Sequence, residues 1–119
     1  MITVYQIQFS DEEIRVANTQ GFHASPRVSA WSEMLLSGYN NWKDEYAQYY
    51  IPVMEIDTDD LEEAFDVSNG YGTASSRKLA RGRSGSVGDI FVMDDCCYIV
   101  DSVGFTAIGK YDLGSNKSA

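Results

Sequence analysis

A dense group of carboxylates lies in the middle of this 119-residue sequence, between two apolar stretches. Its seven members are Glu55, Asp57, Asp59, Asp60, Glu62, Glu63 and Asp66. Carboxylates at this density suit several roles: binding a divalent cation, acting as the acid and base of a hydrolase, or presenting negative charge to a basic partner. They can also simply keep a chain soluble.

The spacing of these acids does not fit a calcium-binding loop. An EF-hand loop that begins at Asp57 would need an oxygen ligand where Leu61 stands, a glycine at Glu62 and a glutamate at Ser68. A two-carboxylate hydrolytic site would need an acid and a base matched in one cleft, and no sequence feature indicates such a pair. We therefore reject a calcium loop, and hydrolytic catalysis has no support.

Residues for nucleophilic or metal chemistry are scarce. The chain has one histidine, His23, and two adjacent cysteines, Cys96 and Cys97, with no HxH, HExxH or CxxC spacing. Adjacent side chains in a strand point to opposite faces, so the cysteines suit two reduced packing thiols better than a mutual disulfide. We predict no catalytic residues, no metal and no cofactor, and we do not expect an enzyme.

A basic cluster follows the acids in a segment rich in glycine and serine. It contains four of the nine basic residues, namely Arg77, Lys78, Arg81 and Arg83. The stretch "GRSGSVG" lacks the spacing of a phosphate-binding loop and leads into a predicted strand, not into a helix. We predict a mobile basic loop at about residues 70–86. Two roles stay open for it: pairing with the acids of the same chain, or contact with a partner or a phosphate.

The formal net charge of −9 restricts the class of partner. Nonspecific affinity for nucleic acid comes mainly from neutralising phosphates, so direct nonspecific binding to DNA or RNA is disfavoured. The same charge permits the reverse arrangement, in which carboxylates along a surface imitate a phosphate backbone and occupy the basic groove of a nucleic-acid-binding protein. A role in solubility alone is the competing interpretation of the acids.

Alternation of apolar residues indicates the strands that would carry these surfaces. It predicts strands over residues 2–9, 51–56, 89–93 and 96–101, with the last two forming an antiparallel hairpin and a short strand following at 105–108. Each segment is rich in β-branched or aromatic residues and is bounded by turn residues. The pattern is typical of a small, mostly antiparallel sheet.

Capping signals indicate the helices. Ser10 begins a capping box and predicts a helix over residues 11–18. Pro26 suits the first position of a second helix. Asp57 or Thr58 can cap a third helix, which would hold most of the acids. We therefore expect an α+β fold in which the sheet packs against two or three helices.

The chain is expected to form a single acidic domain over residues 1–119, with a frayed polar tail from about residue 113. At 44% hydrophobic residues it is too apolar to be disordered as a whole. No apolar run approaches the roughly 20 residues needed to cross a bilayer, and the N-terminus lacks the pattern of a signal peptide. We expect no membrane association and a cytoplasmic location.

Three segments carry a resemblance to known proteins: "VYQIQFSDEEI", "YYIPVMEIDTDDLEEAFDVSN" and "SVGDIFVMDDCCYIVDSVGFTAI". Their order resembles that in small uncharacterised proteins encoded by bacteriophages and plasmids, and the last segment is similar to YodL-like domains. The resemblance covers mainly the C-terminal part of the chain, and residues 71–83 are more basic than the group leads one to expect. It implies a mobile-element origin and an α+β fold, but no reaction and no catalytic residues.

Charge and resemblance together predict a phage-type accessory protein that acts in the host cytoplasm. It would bind a host protein and inhibit or redirect it, with a DNA- or RNA-binding enzyme as the leading candidate. The predicted partner-binding surface is the group of seven acids, and the four basic residues form a second candidate surface. The alternatives are an adaptor or regulator that binds a protein without mimicry and, less favoured, a small enzyme. The sequence does not indicate an oligomeric state.

Overall fold

A six-stranded sheet forms the centre of the fold, which a computed structural model describes for residues 1–114. The strands are β1 (Ile2–Ile7), β2 (Tyr50–Ile56), β3 (Ser76–Lys78), β4 (Ile90–Met93), β5 (Cys96–Val100) and β6 (Phe105–Gly109). Their spatial order is β3-β2-β1-β4-β5-β6, and each neighbouring pair is antiparallel. The predicted hairpin is present as the β4–β5 pair.

Three α-helices accompany the sheet. They are α1 (Asp11–Gln20), α2 (Pro26–Ser37) and α3 (Leu61–Ser68), and short 3-10 turns occupy Phe22–Ala24, Gly38–Asn41 and Asp44–Tyr49. The capping box of α1 is formed, because the Glu13 amide donates to Ser10 Oγ at 3.1 Å and the Ser10 amide donates to Glu13 Oε1 at 3.0 Å. The predicted α+β class, with an antiparallel sheet and two or three helices, is confirmed.

The sheet is covered on both faces, which explains its nearly continuous apolar strands. Ile90 and Phe91 are neighbours in β4 and both are 0% exposed, because adjacent side chains in a strand point to opposite faces. Ile90 packs in one core with Met34 of α2, and Phe91 packs in a second core with Ala64 of α3. Helix α3, which carries several of the acids, is thus fixed to the sheet by its buried side.

The N-terminus of α3 differs from the prediction. Its N-cap is Asp60, not Asp57 or Thr58, and Asp60 Oδ1 accepts a hydrogen bond from the Glu62 amide at 2.9 Å. The Asp57 amide donates to the Ser75 carbonyl at 2.8 Å, which continues the strand pairing beyond the end of β2. The helix can begin only after this pairing ends, so the cap lies further along the chain.

Strand β3 corrects part of the prediction of a mobile basic loop at about residues 70–86, because Ser76–Lys78 form a strand within it. Residues 76–78 pair with residues 54–56 of β2, and Arg77 stands opposite Glu55. All three residues of β3 are exposed, so the sequence contains no apolar alternation that could have revealed the strand. A short, charged edge strand of this kind covers the outer edge of β2 and discourages pairing with other chains.

The last described residues pack against the fold. Leu113 contacts the core that lies under α2, and the Gly114 amide donates to the Ala47 carbonyl at 2.9 Å. The rest of the predicted frayed tail lies outside the described residues. Within residues 1–114, no helix combines the length and the apolar character that crossing a membrane requires.

Candidate functional site

The seven acids of the predicted surface divide by exposure. Two are half-buried, Glu55 and Glu63. The other five are exposed: Asp57, Asp59, Asp60, Glu62 and Asp66. The division follows from the local structure, since Ala64 is the fully buried position of α3 and Glu62 and Asp66 flank it on the outer side. Glu62 and Asp66 are one helical turn apart, which places their Cβ atoms roughly 6 Å from each other.

Three of the acids are used within the fold. Glu55 forms an ion pair with Arg77 across the β2–β3 pair, with Arg77 Nε 3.1 Å from Glu55 Oε1. Asp60 caps α3. Glu63 Oε1 accepts hydrogen bonds from the Thr73 amide at 2.8 Å and the Ala74 amide at 3.0 Å. These backbone hydrogen bonds lower the pKa of Glu63 from its ordinary value. All three therefore have structural roles.

The remaining acids lie near the N-terminus and on α3. The Met1 amine is 2.7 Å from Asp59 Oδ1, and this hydrogen bond, with the nearby charges of Asp57 and Asp94, raises the pKa of the amine. Asp94 lies in the β4–β5 turn, so the sheet brings that turn to the same end of the molecule. Within residues 1–114, Asp57, Glu62 and Asp66 form no salt bridge.

We call five exposed acids the acidic surface: Asp57, Asp59 and Asp94, which lie near the N-terminus, and Glu62 and Asp66, which lie on α3. Sequence reasoning did not include Asp94, because paired aspartates between two strands are explained by turn chemistry. Asp94 and its neighbour Asp95 do form that turn, with φ angles of 51° and 66°. Their place beside the N-terminus depends on strand order, which local patterns do not give.

The four basic residues do not form one surface. Arg77 is paired with Glu55. Arg83 donates from a guanidinium nitrogen to the Ile7 carbonyl at 2.6 Å and lies over the Phe9 ring at 5.5 Å. Among the described residues, Lys78 and Arg81 are exposed and make no salt bridge. Arg77 thus follows the first open interpretation, pairing within the chain, while the second, contact with a partner or a phosphate, stays a prediction for the exposed Lys78 and Arg81.

A buried polar network fixes the end of the basic segment to β1. Asp89 Oδ2 accepts hydrogen bonds from Gln6 Nε2 at 3.0 Å and from the Ser86 amide at 3.0 Å. Gln6 Oε1 in turn accepts from the Arg83 amide at 2.9 Å. Burial raises the pKa of Asp89 to about 7, against the opposing effect of its hydrogen bonds and the Arg83 charge. Sequence reasoning missed this network, although a glutamine within an apolar strand is a usable signal.

The geometry offers little to a nucleophile or a metal. Cys97 is buried, and burial raises the pKa of its thiol, whereas nucleophilic catalysis needs a lowered one. His23 is exposed in the turn before α2. In the part of the chain that the structure describes, no group of three or more histidine, cysteine, aspartate or glutamate residues is arranged to hold a metal ion.

Comparisons with known proteins add no assignment. No protein-family model matches the chain, and searches of curated proteins and of solved structures found no significant similarity. The acidic surface must therefore be interpreted from its own chemistry.

Proposed function

We propose that this chain is a phage-type accessory protein that binds a host protein through the acidic surface and inhibits or redirects it. The proposed target is a nucleic-acid-handling enzyme of the host cytoplasm, whose basic groove would receive carboxylates in place of phosphates. The role is binding, not catalysis. The observation that carries the proposal is that Asp57, Glu62, Asp66 and Asp94 are exposed and form no salt bridge within residues 1–114, in a chain of net charge −9.

The placement of the acids supports a recognition role over a role in solubility alone. Solubility depends on the amount and dispersion of charge and needs no fixed spacing. Here Glu62 and Asp66 are held one turn apart on a helix whose other side is buried. Fixed like charges on a rigid element produce a local negative potential, which steers a basic partner and orients it on arrival.

A matched pair of variants tests the proposal. The first neutralises the acidic surface as D57N/E62Q/D66N, and the second removes the same amount of charge elsewhere as E33Q/E45Q/D112N. All six residues are exposed, and within residues 1–114 none of them forms a salt bridge. Proteins captured from a bacterial lysate by the unmodified chain would be identified, purified and used to measure association and dissociation rates.

We expect the first variant to associate more slowly and bind more weakly, and the second to behave like the unmodified chain. Added salt should weaken binding, because screening acts over about 8 Å at physiological ionic strength. DNA or RNA should compete with the chain for the captured protein. Equal effects of the two variants would contradict recognition by the acidic surface. Binding without competition by nucleic acid would instead favour the adaptor or regulator.

A further inference from the structure

A cavity of about 210 Å³ lies between α3 and the turn that joins β5 to β6. Its apolar walls include Phe65 of α3, Val100 of β5 and Phe105 of β6. Glu62 and Asp101 also line it, and none of the lining residues is basic. Apolar walls combined with the Glu62 carboxylate suit a cationic group carried on an apolar stem.

The aromatic walls are held in place by packing. The Phe65 and Phe105 rings have centroids 6.4 Å apart at an interplanar angle of 84°, and Phe105 also packs against Phe91 at 5.4 Å. Phe91 is 0% exposed, so both cavity-lining rings rest on a buried neighbour. A cation near the face of such a ring is attracted by the ring quadrupole.

The two carboxylates differ in how they are held. Asp101 Oδ1 accepts a hydrogen bond from the Tyr39 amide at 2.9 Å, and Oδ2 accepts from the Thr106 hydroxyl, so its orientation is fixed. Glu62 is exposed and makes no side-chain hydrogen bond to any of residues 1–114. The Asp101 carboxylate is thus turned toward Tyr39 and Thr106, so Glu62 is the carboxylate that can receive a donor in the cavity.

We propose that this cavity binds the side chain of an arginine from the partner protein. The inference rests on the proposed function, because Glu62 belongs both to the cavity and to the acidic surface. A guanidinium is planar, carries several donors and stacks on aromatic rings, whereas the lysine ammonium is a compact, strongly hydrated charge. The cavity is smaller than the roughly 300–1,000 Å³ of pockets for drug-sized ligands, so it suits a single side chain.

The rim of the cavity carries an apolar side chain suited to contact with a protein. Val103 is 91% exposed and stands between Ser102 and Gly104, both of which line the cavity. Buried arginines at protein interfaces are commonly surrounded by contacts that exclude water. Val103 would supply such a contact around the bound arginine.

The test uses amino-acid probes, so it does not depend on identifying the partner. N-acetyl-arginine amide, N-acetyl-lysine amide and the uncharged isostere N-acetyl-citrulline amide would be titrated at matched ionic strength, following the NMR amide signals of Gly104 and Phe105. We expect millimolar binding of the arginine probe, weaker binding of the lysine probe and none of the citrulline probe. E62Q should weaken arginine binding roughly three- to tenfold, as expected for the loss of a charge-assisted hydrogen bond at an exposed site.

Matched variants complete the experiment. E33Q removes an exposed acid outside the cavity and should leave arginine binding unchanged. F105L tests the aromatic wall and should weaken binding, provided that amide signals far from the cavity stay in place. Equal shifts with arginine and citrulline, or unchanged arginine binding in E62Q, would overturn the inference. If a basic partner binds the acidic surface but arginine does not enter the cavity, only this inference fails; arginine binding without any basic partner would count against the proposed function.

Discussion

The buried Asp89 makes the stability of the fold dependent on pH near neutrality. Its pKa is about 7 in the folded protein and 3.8 in the absence of burial. Between these values the folded state binds one proton more than the unfolded state, so the free energy of unfolding decreases as pH rises. The decrease is roughly 1.4 kcal/mol per pH unit at most, which amounts to about 2 kcal/mol from pH 5 to pH 7 because Asp89 is already half ionised at pH 7. The contribution is fully present below pH 3.8 and is lost as pH passes the folded pKa.

D89N removes the titration while keeping the hydrogen bonds. Both donors, Gln6 Nε2 and the Ser86 amide, reach the same oxygen of Asp89, so an asparagine oxygen at that position can accept both. We expect the free energy of unfolding of D89N to change little between pH 5 and pH 7. It should exceed that of the unmodified chain by a margin that grows up to about pH 7 and then levels off, because Asp89 is by then ionised in both the folded and the unfolded state.

Urea denaturation at a series of pH values, followed by the fluorescence of the two tryptophans, measures both curves. D112N, which removes an exposed aspartate, serves as the control and should keep the slope of the unmodified chain. Tyr50 is also buried nearby, but burial raises its pKa further above 10, outside this range. Parallel curves for D89N and the unmodified chain would refute the reasoning, since they would mean that Asp89 is ionised throughout.

Two further substitutions test the packing around the candidate surfaces. G88A should lower the free energy of unfolding by roughly 2–4 kcal/mol, because Gly88 has φ +95° and an added Cβ would lie 2.8 Å from the Met34 backbone. Gly104 has φ +72°, and an added Cβ would have no atom within 4 Å. G104A should therefore lower the free energy of unfolding only through the strain of its backbone conformation. Equal losses in G88A and G104A would contradict the steric argument. E63Q should lower Tm at pH 7, because the Glu63 carboxylate accepts hydrogen bonds from the Thr73 and Ala74 amides. The difference in Tm between E63Q and the unmodified chain should disappear as pH falls through the lowered pKa of Glu63. D66N is the neighbouring control and should leave Tm unchanged in differential scanning calorimetry.

The strands show which parts of the fold local sequence can predict. β1, β2, β4 and β5 were predictable because their apolar residues recur with the period of a strand, and α1 because its capping box is entirely local. β3 was not predictable, since its three residues are all exposed and it exists only because β2 has a free edge. The start of α3 was predicted too early for a similar reason. The Asp57 amide donates a hydrogen bond to the Ser75 carbonyl, and this pairing precedes the helix.

The candidate surfaces show the same division. The sequence identified every acid between residues 55 and 66, but not which of them the fold uses internally. Glu63 accepts hydrogen bonds from backbone amides ten and eleven residues away, and Asp89 accepts one from Gln6, which is 83 residues away. The Asp89–Gln6 contact depends on topology, and the Glu63 contacts depend on how the chain returns after α3, so neither follows from the periodicity of apolar residues. The cavity beside Glu62 depends in the same way on α3 and the β5–β6 turn coming together.

Arg77 and Arg83 have structural roles in this chain of net charge −9. Arg77 pairs with Glu55 at the edge of the sheet, and Arg83 donates a hydrogen bond to the Ile7 carbonyl. Within residues 1–114 neither arginine forms a salt bridge with the acidic surface, in which Asp59 pairs with the Met1 amine and Glu62 and Asp66 have no salt bridge. Pairing these exposed acids with internal cations would add little stability, since an exposed pair contributes about 0–1 kcal/mol. It would remove the potential that attracts a basic partner. Asp57, Glu62, Asp66 and Asp94, which form no salt bridge within residues 1–114, therefore keep the negative potential on which the proposed binding to a basic groove depends.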